Sequence, residues 1–495
     1  MNDSLTKNKA VPIAATPSLA LDSETRNSLW KVVFDRIESY LQTVDELPVS
    51  PVLNVAGIRN FAESFNFAQP MAPEETFRLV ASELIRGQVH TPHPQYFGLF
   101  NPAPATMSIA ADALVATLNP QLAAWSHSPL AAEMERHLVL SIAEKFGLTR
   151  DRADGVFASG GAEANQTALL AALAHRWPNV TSGGLRSLKE EPIFYVSAEG
   201  HHSFLKAAQA AGLGASSLRE IEVTEDLRVD LNSLRAAIQR DRAAGYAPFL
   251  LVATAGTTGA GIIDPLPDLA HLAQEEGLWF HVDAAWGGAA ALVPELRSVL
   301  DGIELADSIT FDAHKWLSVP MGAGMFLTRD HDILSRLFAI QTAYMPKEGE
   351  QMHVTDPFAH SLQWSRRFIG FKLFLSLAVA GWDGYAAAIR HQARMGDLLR
   401  NRLLEENWKI VNRTPLPVVC FTDGEAEWDL SVCQKVANAV VESGRAWIST
   451  IQLGKRKQPA LRACITNYRT EPQHLDALIA ILNQVRHLER KTAHS

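Results

Sequence analysis

Two short apolar segments, each followed by a reactive side chain, constrain the fold of this chain more than any other feature. The first spans residues 278–282 and ends at Asp283, and the second spans residues 309–311 and is followed by Lys315. Apolar runs of this length are typical of buried parallel strands. Because open α/β sheets bind ligands at the carboxyl ends of their strands, we expect an acid and an amine in one crevice.

A lysine and an aspartate at such an edge have two interpretations. A lysine amine held among apolar groups becomes nucleophilic and forms Schiff bases with carbonyl compounds, pyridoxal phosphate included. That cofactor also needs an anion beside its pyridine nitrogen. Either Lys315 carries the cofactor while Asp283 faces its ring, or the two residues form a buried ion pair without a cofactor.

A glycine turn precedes a strongly helical segment. Residues 157–165 read FASGGAEAN and run into an alanine- and leucine-rich stretch that ends near His175. Backbone N–H groups at the start of a helix, aligned with the helix dipole, bind phosphate. A Gly-Gly pair before a helix is also a common turn, and this one matches neither GxGxxG nor the P-loop.

Two further strand ends carry polar side chains. Residues 194–197 lead to His201, whose imidazole is suited to cover a cofactor ring, and residues 249–254 lead to Thr258. Each could be a simple turn residue, but four such clusters in chain order favour a ligand site. Between about residues 158 and 328, apolar strands alternate with helical stretches, which predicts an α/β fold with a mostly parallel sheet.

Seven motifs carry a resemblance to a known family. In chain order they read SGGAEAN, HHSFLKAA, ATAGTTGAGIIDP, HVDAAWGG, DAHKW, SRRF and LRACITNYRT. Together they resemble the group II pyridoxal-phosphate-dependent amino acid decarboxylases, which include aromatic amino acid, glutamate, cysteine sulfinate and diaminobutyrate decarboxylases. The resemblance implies fold type I. Residues 1–90 would be an N-terminal tail and helical arm, 91–370 the large cofactor-binding domain, and 371–495 a small C-terminal α+β domain.

The resemblance also implies roles for single residues. Lys315 would carry pyridoxal phosphate, and Asp283 would face the ring nitrogen. His201 would stack on the ring, and Tyr344 would donate a proton from a mobile lid. The implied cofactor-binding set is Gly160, Gly161, Ala162, His201, Thr258, Asp283, Ala285, Asp312, His314 and Lys315. The implied substrate set is Leu99, Phe100, Asn101, Trp125, Arg366 and Arg462.

Two positions depart from the family pattern. Ala162 stands where a hydroxyl residue is common, and Asp312 stands where asparagine is often found ahead of the His-Lys pair. We therefore expect phosphate binding to depend on backbone N–H groups and His314. A carboxylate at Asp312 would oppose a phosphate unless it faces away.

The reaction implied by the resemblance is α-decarboxylation of an L-amino acid. Leu99, Phe100 and Trp125 slightly favour an aromatic or bulky apolar substrate, because an unpaired side-chain carboxylate is costly to bury against an apolar wall. Asn101 and His127 could serve a polar side chain, so glutamate, aspartate or cysteine sulfinate stays an alternative. Further alternatives are aldehyde synthesis, a decarboxylative condensation, and a non-catalytic binding protein that has kept the fold.

Composition limits the kinds of partner that this protein can bind and the cellular compartments in which it can reside. A net charge of −9 disfavours nucleic acid, and no apolar run is long enough to span a membrane. Three cysteines in 495 residues predict a reducing compartment without disulfides, and the lack of a visible targeting or spanning segment predicts a cytoplasmic location. Helical spacing of apolar residues in 24–44 predicts an amphipathic helix. The resemblance implies that this arm embraces the second subunit of a homodimer.

Overall fold

The computed structural model describes residues 19–340, 352 and 354–493, with side chains described up to residue 489. Backbone packing separates these residues into two compact units. The first comprises the described residues up to 47 together with 51–90, and the second comprises 48–50 and the described residues from 91 onward. The domain boundaries expected at residues 90 and 370 stay a prediction.

The first unit is helical. Its helices are α1 (Ser23–Thr43), α2 (Val55–Glu63) and α3 (Pro73–Gly87). Asp22 caps α1 by accepting a hydrogen bond from the Thr25 backbone N–H. The helix predicted for residues 24–44 is confirmed, but it fully buries only Val32, and Phe34 stays 60% exposed.

A seven-stranded sheet forms the centre of the second unit. Its strands are β1 (Asp154–Ala158), β2 (Pro192–Ser197), β3 (Leu218–Ile221), β4 (Ala247–Thr254), β5 (Trp279–Asp283), β6 (Ser308–Asp312) and β7 (Gly324–Thr328). Their order is β1-β7-β6-β5-β4-β2-β3, and β7 runs antiparallel to both neighbours. The other pairs are parallel, which confirms the mostly parallel sheet.

Two apolar layers cover this sheet. Along β4, Leu250 and Val252 pack in a cluster with residues of the helix that follows β1, whereas Leu251 and Ala253 belong to a second cluster. Successive residues of a strand point to opposite faces, so both faces of β4 are covered. All eight residues of β4 are buried, which explains its continuous apolar sequence.

Helices connect the strands and pack around the sheet. They are α4 (Thr106–Leu118), α5 (Pro129–Lys145), α6 (Gly161–Arg176), α7 (Val180–Gly183), α8 (Ser203–Ala210), α9 (Leu231–Ala243), α10 (Leu266–Glu276), α11 (Pro294–Arg297) and α12 (Ile333–Phe338). The sequence pattern of residues 231–243 and 267–275 predicts two helices, and α9 and α10 confirm them.

A long helix, α13 (Phe371–Glu405), leads into the C-terminal part of the unit. The sequence predicts an apolar helix from Phe371 to about Trp382, and a break beside Trp382 confirms where this first helical segment ends. Gly381 breaks the helical geometry with a φ of 65°, a conformation that glycine tolerates. The helix then resumes and buries Ile389, Leu399 and Leu403.

A second, antiparallel sheet lies near the C-terminus. Its strands are β8 (Trp408–Ile410), β9 (Val418–Asp423), β10 (Ser449–Leu453) and β11 (Gln458–Cys464), in the order β10-β11-β9-β8. Helices α14 (Leu430–Glu442) and α15 (Pro472–Ala493) accompany it. The sequence predicts a hairpin with its turn at residues 454–458 and an amphipathic helix over 474–488, and the pairing of β10 with β11 and helix α15 confirm both. Within the described ranges, no helix has the length and apolar character needed to cross a membrane.

Candidate active site

Several parallel strands end at one edge of the large sheet. Asp283, the last residue of β5, pairs with Thr254 at the end of β4. Asp312 ends β6 and lies opposite Gly324 of β7, which also pairs with Ala158 at the end of β1. The loops that follow these strands therefore meet at one crevice.

Lys315 lies partly buried beside a carboxylate. Its Nζ atom is 3.0 Å from Oδ2 of Asp312 and 5.9 Å from the centre of the Phe100 ring. Asp312 is 1% exposed, and its Oδ1 atom has no hydrogen-bond partner among the described residues. The carboxylate paired with the lysine is thus Asp312, which leaves Asp283 to other partners.

Asp283 is buried, and donors hold both of its oxygens. Oδ2 accepts a hydrogen bond from the side-chain amide of Asn165 at 2.9 Å, and Oδ1 accepts one from the Ala285 backbone N–H at 3.1 Å. These bonds fix the plane of a carboxylate that is 5% exposed. A buried carboxylate oriented in this way is suited to bind a protonated ring nitrogen by a charge-assisted hydrogen bond.

His201 belongs to the same electrostatic cluster. Desolvation lowers the pKa of His201, while the negative charge of Asp283 opposes that shift and the positive charge of Lys315 adds to it. Its Nδ1 atom accepts a hydrogen bond from the Ser203 backbone N–H at 3.2 Å, yet the side chain keeps an exposed face. A neutral imidazole with an open face is suited to stack on a flat ring.

The glycine turn after β1 opens helix α6. The N–H groups of Glu163 and Ala164 donate to the carbonyl of Gly160. The first N–H groups of a helix have no carbonyl partner within it, so those of Gly161 and Ala162 are suited to bind an anion.

Asp312 faces this turn and does not face away from it. A Cβ atom on Gly161 would come within 2.8 Å of Asp312 Oδ2, so the close approach requires glycine. His314 lies next to the same carboxylate, with Nε2 3.7 Å from Oδ2. Desolvation lowers the pKa of His314, and the charge of Asp312 opposes the shift. Lys315 is therefore the cation that balances Asp312 at this position.

An aromatic wall lies beside Lys315. The ring of Phe100 is 6% exposed and stacks on Trp286, with centroids 4.5 Å apart and planes inclined by 22°. Leu99 next to it is 52% exposed. The side-chain amide of Asn101 donates to the sulfur of Met321 at 3.0 Å. The wall therefore presents mainly aromatic and aliphatic surface.

Arg462 is also buried next to this wall. Its guanidinium lies 5.2 Å from the centre of the Phe100 ring. It donates to the carbonyl of Thr258 at 3.0 Å and to that of Gly98 at 2.7 Å. Its Nη2 atom is buried without a hydrogen-bond partner in the part of the chain that the structure describes. Thr258 contributes its carbonyl here, while its side chain is exposed.

Three predicted site residues are not placed in this cluster. Arg366 forms a buried ion pair with Glu135, and with Trp125 it lines a cavity of about 480 Å³ whose lining does not include Lys315 or Asp283. The indole of Trp125 donates to Glu133 at 3.0 Å. Tyr344 lies outside the described residues, so its role stays a prediction.

Sequence reasoning missed Asn165 and Ser203. Asn165 is 1% exposed and bonds both Asp283 and Ser203, whose hydroxyl lies 2.8 Å from Nδ1 of His201. A signal for Asn165 was present, because it lies four residues after Gly161 and therefore on the same face of α6. Ser203 follows His201 by two residues and begins α8.

The site fits pyridoxal phosphate, and comparison with known proteins agrees. An amine, an oriented carboxylate, an open imidazole and a glycine cradle at a helix start are the groups that this cofactor requires. The family model described as the pyridoxal-dependent decarboxylase conserved domain matches residues 62–423. The chain belongs to this family.

The similarity to known proteins extends over nearly the whole of this decarboxylase and of its relatives. The aromatic-L-amino-acid decarboxylase of Bacillus atrophaeus is 28% identical over 92% of this chain and 95% of its own. The phenylacetaldehyde synthase of Arabidopsis thaliana is 26% identical over 94% and 96%. Among solved structures, mouse CSAD in apo form has a TM-score of 0.85 at 26% identity and covers 93% of this chain and 99% of its own. Oryza sativa TDC with PLP and tryptamine has a TM-score of 0.87 at 25% identity, with coverage of 94% and 98%.

These findings confirm the activity class and the fold class. The enzyme is a pyridoxal-phosphate-dependent amino acid decarboxylase with an α/β fold of type I. The reading of the chain as a cofactor-free binding protein is not supported, because Lys315, Asp283 and His201 meet at one crevice.

Proposed function

We propose that this decarboxylase acts on an aromatic or other bulky apolar L-amino acid. The stacked pair of Phe100 and Trp286 beside Lys315 carries the proposal, because an aromatic side chain gains both apolar burial and ring contacts there. The names of similar enzymes, an aromatic-L-amino-acid decarboxylase and a tryptophan decarboxylase among them, give further support.

The proposed roles follow from the geometry of the site. Bound pyridoxal phosphate supplies an electron sink for the bond broken at the substrate α-carbon. Lys315 holds the cofactor through Nζ, and Asp283 keeps a proton on the ring nitrogen through its fixed carboxylate. His201 covers one face of the ring and excludes water from it. The N–H groups at the start of α6 bind the phosphate.

Two side chains complete the proposed reaction. Arg462 has a buried Nη2 atom without a partner among the described residues, and this suits it to bind a substrate carboxylate. A proton must replace carbon dioxide at the α-carbon, and we assign this step to the hydroxyl of Tyr344. Amine as the main product supports the assignment, whereas aldehyde as the main product contradicts it.

An acidic amino acid is the second candidate substrate. Arg462 and Asn101 lie next to the aromatic wall and could pair with a side-chain carboxylate. An L-aspartate decarboxylase of Metarhizium robertsii is 29% identical over 68% of each chain. The aromatic candidate ranks first because Asn101 already donates to Met321, and because Nη2 of Arg462, its one donor left open among the described residues, is assigned to the carboxylate that every amino acid substrate carries.

A substrate panel tests the proposal. We expect kcat/KM for tryptophan, tyrosine or phenylalanine to exceed that for glutamate, aspartate and cysteine sulfinate by about tenfold or more, since an unpaired buried carboxylate costs a few kcal/mol. Carbon dioxide, amine and aldehyde should be measured in the same reactions. An acidic substrate that wins by more than tenfold contradicts the proposed pocket.

We also propose a homodimer in the cytoplasm. The first unit exposes large apolar side chains, such as Phe34 at 60% and Leu53 at 70%, and forms an open, mainly apolar pocket of about 730 Å³. Apolar patches of this kind usually bind a protein partner. Three buried free cysteines are compatible with a reducing compartment. Full activity of a species that sediments with the mass of one chain would refute the dimer.

A further inference from the structure

Asn165 joins two parts of the site that the proposed function treats separately. Its side-chain nitrogen donates to Asp283 Oδ2 and to Ser203 Oγ, both at 2.9 Å. Its side-chain oxygen lies 3.3 Å from Nε2 of His281. Asn165 is 1% exposed, so every polar group of its amide is used inside the protein.

The direction of each hydrogen bond follows from the carboxylate of Asp283. An ionised carboxylate only accepts, so the amide nitrogen of Asn165 must face it. Oδ1 of Asn165 then accepts from Nε2–H of His281. Burial lowers the pKa of His281 to about 4, so this ring is neutral at physiological pH and its Nδ1 accepts from the Ser308 hydroxyl at 2.8 Å.

The donors and acceptors of the hydrogen bonds between Asn165 and His201 follow in the same way. Ser203 Oγ accepts from Asn165, which leaves its own proton to point at Nδ1 of His201, 2.8 Å away. The Ser203 backbone N–H donates to the same nitrogen. Two donors on Nδ1 keep it unprotonated, so the neutral ring of His201 carries its proton on Nε2.

We propose that Asn165 is a positioning residue that both orients the carboxylate of Asp283 and, through the hydroxyl of Ser203, holds His201 as a hydrogen-bond acceptor at Nδ1. The proposal rests on the roles proposed above for Asp283 and His201. Asn165 is neither one of the groups proposed to act on the cofactor and substrate nor part of the turn proposed to bind the phosphate. Without Asn165 the Ser203 hydroxyl is free to rotate and accept a proton from His201.

The experiment compares Asn165→Ala, Asn165→Asp, Ser203→Ala and the control Thr167→Val. Thr167 lies on the same helix and is 3% exposed, and its hydroxyl bonds the helix carbonyl of Glu163, outside the network. Asn165→Asp keeps the size of the side chain, but it replaces the amide donor by a second carboxylate in contact with Asp283. Far-ultraviolet circular dichroism reports whether each variant is folded.

The first readout is the titration of His201 in cofactor-free protein. Labelling with 15N-histidine, with the His201 signals identified from their loss in His201→Gln, gives the midpoint. The charged groups that act on His201 are Asp283, Lys315, His202 and Asp312, and each is kept in the variants. We expect His201 to be half protonated at a higher pH in Ser203→Ala and in Asn165→Ala than in the wild type. The variant that combines both substitutions should show no further rise. Unchanged midpoints would overturn the proposal.

The second readout is the dissociation constant of pyridoxal phosphate, followed by its visible absorbance. We expect a rise of about tenfold in Asn165→Ala, because a hydrogen bond to a charged group is lost, and a rise at least as large in Asn165→Asp, because its carboxylate also contacts Asp283. Ser203→Ala and Thr167→Val should stay within about threefold of the wild type. Equal constants in Asn165→Ala and Thr167→Val would contradict the link to Asp283. Failure of the proposed substrate class is separate, because it would appear in the substrate panel of the wild-type protein, and neither readout here uses a substrate.

Discussion

Replacement of Lys315 by alanine is expected to abolish the visible absorbance of the bound cofactor and to lower kcat by roughly 10⁴-fold or more. Lys315 lies in the loop between β6 and β7, and its Nζ atom lies next to Asp312 and the Phe100 ring. Absorbance spectra with added pyridoxal phosphate and assays of carbon dioxide release measure both effects. The fold should persist, because the side chain is 20% exposed.

Lys372 provides a matched control for this variant. It is also a buried lysine, 5% exposed, and its Nζ atom donates to the carbonyl of Met321 at 2.9 Å. Lys372→Met should keep the cofactor absorbance. A Lys315→Ala protein that retains an absorbance reducible by borohydride would show that a different amine holds the cofactor.

Replacement of Asp283 by asparagine is expected to keep the cofactor bound but to lower kcat by about 10²–10³-fold, the usual effect of removing one oriented charge-stabilising group. The amide has the same shape, and it can still accept from the Ala285 N–H. It cannot hold a proton on the ring nitrogen, because it carries no charge. Stopped assays of carbon dioxide release at saturating substrate give kcat directly.

Asp307 is the control for loss of a carboxylate. It precedes β6 at the opposite edge of the sheet and accepts a hydrogen bond from the Phe280 N–H at 2.8 Å. Asp307→Asn should retain kcat within a few-fold of the wild type. A similar loss in both variants would point to general destabilisation in place of a role for Asp283.

The strands and their reactive ends could be predicted because their signals are local. A run of apolar residues that ends in a polar side chain predicted β5 and β6, and alternation with helices predicted the parallel sheet. The aromatic wall was predicted only in part: Phe100 was identified, but its stacking partner Trp286 lies 186 residues away in sequence and left no local signal.

The orientation of side chains could not be predicted in the same way. Whether Asp312 faces the turn depends on the pairing of β6 with β7 and β7 with β1, which brings three distant segments together. Arg366 pairs with Glu135, which lies 231 residues before it. Long-range contacts of this kind decide which arginine keeps a donor open for a ligand, and no local sequence pattern predicts them.

The most direct test of the central claim is to locate the cofactor in the chain. Wild-type protein is incubated with pyridoxal phosphate, reduced with borohydride, digested with trypsin and analysed by mass spectrometry. Modified Lys315 resists trypsin, so we expect the label on an uncleaved peptide of residues 298–329. A label that lies mainly on another lysine, or no label, would contradict the account.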